Sequence, residues 1–196
     1  MNDAYFAAFE KYITADVYVA GDLGQRVTQH IQEEKYAFDL LFKVRGAHGV
    51  AFRIEDFKEK ANYLIGGKRG HGMDNDCTII DQAIFQIEVK ETKTMGNMHA
   101  GRQFNGGLKW LRHILEVVVT DQVNLQQTAK MEVYNVVIRR DSRTSLSRVG
   151  GYAGRQQGAN YMLHVNKSVK QVDLTKAMLH LLQHEQPAVA VLKLDD

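Results

Sequence analysis

The sequence predicts an α/β domain in which a mixed central β-sheet is flanked by helices. Three observations predict it. Several short runs alternate apolar and polar residues, as half-buried strands do, and longer stretches between them carry helical spacing. The only proline, Pro187, lies near the end, so no proline-rich linker divides the chain. The 196 residues suit a single domain, and a hydrophobic content of 44% suits a substantial core.

Taken in order, residues 3–13 read as a short helix with Phe6, Phe9 and Ile13 on one side. Residues 22–34 read as a second helix, with Asp22 at its N-cap. Alternation in Phe38, Leu40, Phe42 and Val44 predicts a strand, and Val50 to Ile54, beyond the Gly46 to Gly49 turn, its hairpin partner. Residues 55–65 return to helical spacing, and residues 66–72 form a basic, glycine-rich loop. Cys77 to Ile80 and Ile84 to Val89 read as a hairpin across Asp81-Gln82-Ala83. A long helix over 100–119 turns Leu108, Leu111 and Leu115 inward, and the run Val133 to Ile138 suits a central strand buried on both faces. The chain closes with a Gly/Gln-rich loop over 150–158, a strand Tyr161 to Val165, a helix Leu174 to His184 capped by Asp173, and an edge strand Ala188 to Leu194. The expected domain is 1–196, with a core over about 22–140 and basic and C-terminal additions over 141–196.

Charge balances to +2, so any basic surface must be local. It concentrates over 139–170, where seven basic residues stand against Asp141 alone. A single cysteine, Cys77, excludes an intramolecular disulfide and a cysteine-rich zinc site, and reads as a small buried hydrophobe. No apolar run approaches the roughly 20 residues that cross a bilayer, and the N-terminus lacks the pattern of a signal peptide. No membrane partner and a cytoplasmic location are the expectation. His71 in its loop has no partner at ligand spacing, and no nucleophile elbow or phosphate-cradling glycine loop is present.

The stretch that carries chemistry is residues 75–90. On the second strand of the hairpin, Phe85, Ile87 and Val89 face one side while Gln86, Glu88 and Lys90 share the other. A three-residue turn pairs Ile80 with Ile84, Thr78 with Gln86, and Asp76 with Glu88. Paired residues hold their Cβ atoms about 4.5–5.5 Å apart, and two carboxylates there repel unless a cation sits between them. Oxygen donors of this kind suit Mg²⁺. Lys90 would then orient or deprotonate a water, or neutralise a phosphate. A turn one residue longer or shorter would put Asp76 on the opposite face. The bland alternative is a solvent-exposed face carrying a Glu88–Lys90 ion pair.

These residues resemble the PD-(D/E)xK nuclease superfamily, over about residues 74–140. Asp76 matches the acid that opens the first strand, and Glu88-Val89-Lys90 the acidic-x-Lys that ends the next. Gln103, early in the following helix, matches a glutamine found there in many members. The resemblance implies a restriction-endonuclease-like core, with catalytic Asp76, Glu88, Lys90 and Gln103. It also implies Mg²⁺ (or Mn²⁺) held by Asp76, Glu88 and the Val89 carbonyl, and hydrolysis of DNA phosphodiesters. Asn75 stands where the family often has proline. An upstream glutamate often joins the site; Glu33, Glu34 and Glu55 compete for that role, and Asp74 or Asp81 compete with Asp76. Candidate phosphate contacts are Lys68, Arg69, Lys93, Arg102, Arg139, Arg140, Arg143, Arg148 and Arg155, with Tyr152 able to stack on an exposed base. A homodimer fits the need for two sites to cut both strands. The rivals are a non-catalytic nucleic-acid-binding protein and a phage or defence-system assembly protein that keeps the fold.

Overall fold

In the computed structural model the described residues are 1, 3–34, 36–61, 73–91, 97–118, 131–142, 155–157, 159–183 and 188–192. The elements run α1 (Asp3–Tyr12), β1 (Tyr18–Asp22), β2 (Arg26–Gln32), β3 (Ala37–Lys43), β4 (His48–Phe52), α2 (Ile54–Ala61), β5 (Cys77–Ile80), β6 (Ile84–Lys90) and α3 (Asn97–Val118). Then follow β7 (Met131–Asp141), β8 (Arg155–Gln157), β9 (Asn160–Asn166), β10 (Gln171–Asp173), α4 (Thr175–Gln183) and β11 (Ala190–Leu192). The fold is α/β with a mixed sheet. An eight-stranded sheet runs in the order β1-β4-β5-β6-β7-β9-β8, with β11 also paired to β7. Its β6, β7 and β9 are mutually parallel, and the pairings of β1 through β6 and of β8 are antiparallel. A second sheet runs β10-β3-β2.

Alternation on the strands sends side chains into two cores. On one face of the large sheet, Ile79, Phe85, Ile87, Val136, Ile138 and Leu163 pack against Ile31, Leu40 and Phe42 of the small sheet and Met178 and Leu181 of α4. On the other face, Ile80, Ile84 and Val133 meet Phe9 of α1 and Leu111 and Leu115 of α3. Nearer the C-terminal ends of the parallel strands, Val137 and Met162 meet Ala100 and Phe104 of α3. Both faces are therefore covered, which agrees with β7 as a central strand. Among the described residues no helix is long and apolar enough to cross a membrane.

Three expectations need correction. Residues 22–34 are not a helix: they hold the end of β1, a turn, and β2. Arg26 to Gln32 alternates exposed and buried positions, with Val27, Gln29 and Ile31 inward, and period two wins over the cap signal at Asp22. Gly24 at φ 84° supplies the left-handed residue that the turn between the strands requires. Nor is β4 the hairpin partner of β3. It pairs with β1 and β5, while β3 pairs with β2 and β10, so the chain changes sheets between them. The expected helix over 55–65 is described to Ala61, and Asp173 accepts a hydrogen bond from Thr175 N at 2.9 Å at the start of α4. Cys77 is fully buried, and burial pushes its thiol pKa up. The loop over 66–72 lies outside the described residues, as do 150–154 and 158 of the loop expected over 150–158, whose residues 155–157 are instead strand β8, drawn into the sheet by antiparallel pairing with β9.

Helix α3 lies hard against the hairpin because Gly106 and Gly107 offer no side chains. A Cβ at Gly106 would overlap the Met73 carbonyl oxygen, and one at Gly107 would overlap Asn75 Oδ1 and stand 2.6 Å from Gln86 Oε1. The predicted consequence is that Gly106→Ala lowers stability by about 1–3 kcal/mol through overpacking, despite alanine's better helix propensity. The exposed neighbour Asn105→Ala should stay within about 0.5 kcal/mol of wild type. Urea denaturation checks both, and a Gly106→Ala variant as stable as wild type would contradict this packing.

Candidate active site

The hairpin register is the one that a three-residue turn requires. Ile80 pairs with Ile84, Thr78 with Gln86 and Cys77 with Ile87, and one more step sets Asp76 opposite Glu88. The turn itself is tied down. Asp81 N donates to Ala83 O at 3.0 Å, and the Asp81 carboxylate accepts from Arg45 N at 2.9 Å and Gly46 N at 2.6 Å. Asp81 is thus committed at the far end of the hairpin. Asp74 pairs with Lys58 at 2.5 Å. Asp76 is left as the acid beside Glu88.

On the α3 side the sheet presents successive rows across its strands. Thr78, Gln86, Asn135 and Asn160 form a polar row, and Glu88, Val137 and Met162 the next. Lys90, Arg139 and His164 form the row beyond. The polar row braces Asp76 from behind. Asn75, which is buried, donates from Nδ2 to Cys77 O at 2.5 Å and Thr78 Oγ1 at 3.0 Å, and Gln86 Nε2 donates to Asn135 Oδ1 at 3.1 Å. These bonds fix the backbone that carries the aspartate.

The four residues nominated for the site do come together. Asp76 Oδ2 accepts from Val89 N at 2.6 Å. Lys90 Nζ donates to Glu88 Oε1 and, at 2.7 Å, to Gln103 Oε1. Glu88 is 1% exposed, so a solvated ion pair on an open strand face does not describe it. Its second oxygen, Oε2, is buried with no hydrogen-bond partner among the described residues. An orphaned carboxylate oxygen is costly, and in native proteins such atoms concentrate where a ligand or ion completes them.

Burial, then Asp76 close by, raise the Glu88 carboxyl to about 8, with Lys90 and Gln103 offsetting part of the rise. Burial likewise raises Asp76 to about 6; the Val89 amide offsets it, and the charge of Glu33 adds to it. Of the upstream acids, Glu33 is the one whose charge Asp76 feels. It follows β2 rather than sitting on a helix, whereas Glu55 pairs with Arg53 and Glu34 is exposed. Among the described residues no group of three or more His, Cys, Asp or Glu side chains stands together as a metal-holding cluster. The oxygens that could hold an ion are those of Asp76 and Glu88, with the Val89 carbonyl as the expected third donor.

The basic candidates divide. Arg102 is exposed on α3 and Arg139 stands beside Lys90 in the row described above. Arg140 is not an accessible cation. It points to the other face, is 2% exposed, donates to Lys167 O at 2.6 Å, pairs with Glu91 at 3.2 Å and stacks on Tyr36 and Phe38. Arg155 lies in β8, and its side chain is outside the described residues, as are Lys68, Arg69, Lys93, Arg143, Arg148 and Tyr152. Two neighbours escaped the sequence reading. His164 joins the row of Lys90 and Arg139 through a strand pairing that sequence does not show. Tyr36, just before β3, has its hydroxyl pKa pushed up by burial and by Asp76, Glu33, Glu88 and Glu91.

The raised carboxyls make a stability prediction. Folded Glu88 keeps its proton where an unfolded glutamate has lost it. Its favourable contribution is therefore complete below about pH 4 and fades as pH rises through about 8, with Asp76 fading through about 6. Glu88→Gln should leave stability near wild type at pH 5 and raise it at pH 8.5 by on the order of 2 kcal/mol. Thermal unfolding in EDTA at the two pH values checks this, and a gap that does not widen with pH would refute it. No protein-family model matches the chain, and neither a curated protein nor a solved structure does, so the site's chemistry rests on these side chains alone.

Proposed function

We propose that the protein is a metal-dependent endonuclease that hydrolyses DNA phosphodiesters, with a restriction-endonuclease-like core formed by the succession α2-β5-β6-α3-β7. One observation carries this reading: Asp76, just before β5, stands opposite Glu88 of β6 with Lys90 and Gln103 converging on them, and Glu88 keeps a buried oxygen without a partner among the described residues. Burial keeps both carboxyls protonated above their usual range, with Asp76 adding to the rise at Glu88, and a cation between them would offset that cost. Hard oxygen donors fit Mg²⁺ or Mn²⁺, and a sparse protein set fits Mg²⁺ in particular, which keeps several waters and shares its shell with substrate phosphates.

Asp76, Glu88 and the Val89 carbonyl would hold the ion. When bound, it would supply Lewis-acid polarisation of the phosphate and a more acidic water. Lys90 has its ammonium aimed by Glu88 and Gln103, so it meets the attacking oxygen or the phosphate in a fixed pose. Gln103, holding Lys90 from α3, couples the helix to that pose. Arg139 and His164, next along the same row, are suited to the charge that builds on the phosphate. The apolar wall of Val137, Met162, Ala100 and Phe104 keeps the site's dielectric low and strengthens each of these interactions.

A second reading draws on one feature: the Lys90–Glu88 pair is closed, as in a site that neutralises itself and binds nucleic acid without cutting it. Loss of Ca²⁺ or Mn²⁺ binding in Glu88→Ala would count against it. The deciding experiment incubates wild type, Glu88→Ala and Lys90→Ala with supercoiled plasmid, linear duplex, single-stranded DNA and RNA in Mg²⁺ or Mn²⁺. Wild type should nick or linearise DNA, with each variant slower by a factor on the order of 100 or more. Equal cleavage by all three proteins would remove the proposal.

A further inference from the structure

Outside the site, the least expected feature of the charge distribution is on α3. Its exposed positions include Arg102, Asn105, Lys109, Arg112, His113 and Glu116. At 100° per residue these fall within a stripe about 100° wide. Glu116 is its only acid and lies at its far end.

Two comparisons within the molecule set this stripe apart. Several cations elsewhere on the described surface are paired, Lys60 with Asp16, Arg26 with Asp173, Arg53 with Glu55 and Lys167 with Glu91, although Lys43, Arg45 and Lys170 also make no ion pair among the described residues. Arg102, Lys109 and Arg112 make no ion pair among the described residues. Helix α2 also matches its own dipole, with Glu55 and Asp56 in the first turn and Lys58 and Lys60 in the last. Helix α3 has no acid in its first turn and no base in its last, so its charges are not arranged to stabilise the helix.

We infer that this stripe is a track for the DNA backbone, continuing the strand whose phosphate occupies the active site; the inference rests on the nuclease reading. Its N-terminal end is anchored at the site, since Gln103, next to Arg102, holds Lys90. From Arg102 to Arg112 the helix advances about 15 Å, equivalent to roughly four phosphate steps at 3.4 Å of duplex axis per strand charge. Charge complementarity selects a polyanion, and continuity with the site selects nucleic acid over an anionic membrane.

The test measures binding of a fluorescein-labelled DNA duplex in Ca²⁺ across a salt series. It compares wild type, the charge-removing pair Lys109→Ala with Arg112→Ala, and the charge-keeping pair Lys109→Arg with Arg112→Lys. All four substitutions are on exposed positions. Removing both charges should lower the log–log salt slope by about 1.8 and weaken binding roughly tenfold at low salt, while the charge-keeping pair behaves as wild type. An unchanged slope and affinity in the alanine pair overturns the inference, as does capture by phosphatidylserine vesicles with no binding to DNA. A wild type that binds through the stripe yet cuts nothing in Mg²⁺ or Mn²⁺ would support the track and sink the nuclease reading. Normal cutting with an alanine pair that binds and cuts like wild type would do the reverse.

Discussion

The arrangement of the whole site depends on the register of one short hairpin. Because strand side chains alternate, a slip of one residue between β5 and β6 would carry Asp76 to the small-sheet side and leave Glu88 alone under α3. The chain guards against that slip at both ends. Asp81 locks the turn onto the Arg45 and Gly46 amides, and the Asp76 carboxylate ties itself to the Val89 amide. Between them, the buried amides of Asn75 and Gln86 bear on a helix that comes close only because it carries paired glycines. Each device is local, and together they fix two acids at neighbouring positions.

Such a site sits uneasily in a protein interior. Burial beside an apolar wall raises the pKa of both carboxyls, Asp76 adds to the rise at Glu88, and one glutamate oxygen has no hydrogen bond among the described residues. Elsewhere the fold treats buried charge differently. Arg140 is equally buried, yet it is given a carbonyl, a carboxylate and two aromatic faces. Both groups keep buried polar atoms without hydrogen bonds among the described residues, Nε and Nη1 of Arg140 and Oε2 of Glu88, but Arg140 has a carboxylate and two rings against its charge, whereas the Glu88 carboxyl answers burial with a raised pKa.

The parts of this architecture that were legible in the sequence are local ones. The turn of three residues and the strict alternation over Phe85 to Lys90 sufficed to derive the pairing of β5 with β6, and helical spacing sufficed for α1, α3 and α4. Residues 26–32 misled because Asp22 looks like a helix cap and because Gln29, an inward residue of β2, is polar and hides the alternation. The parallel pairing of β10 with β3, the separation of β3 from β4 and the arrival of Tyr36 near the acids all join residues distant in sequence, and no local pattern encodes them. Arg139 and Arg140 illustrate the same limit at one step: adjacent in a basic run, they face opposite sides, and the sheet alone decides that one lies beside Lys90 and the other in a packed interior.

The central claim is that Asp76 and Glu88 grip one and the same cation. Titrating Mn²⁺ into wild type, Asp76→Asn, Glu88→Gln and the double variant by calorimetry tests it most directly. A shared ion predicts one site in wild type, lost to a similar degree in either single variant and scarcely further in the double. Binding that survives in both single variants, or two losses that simply add, would contradict it.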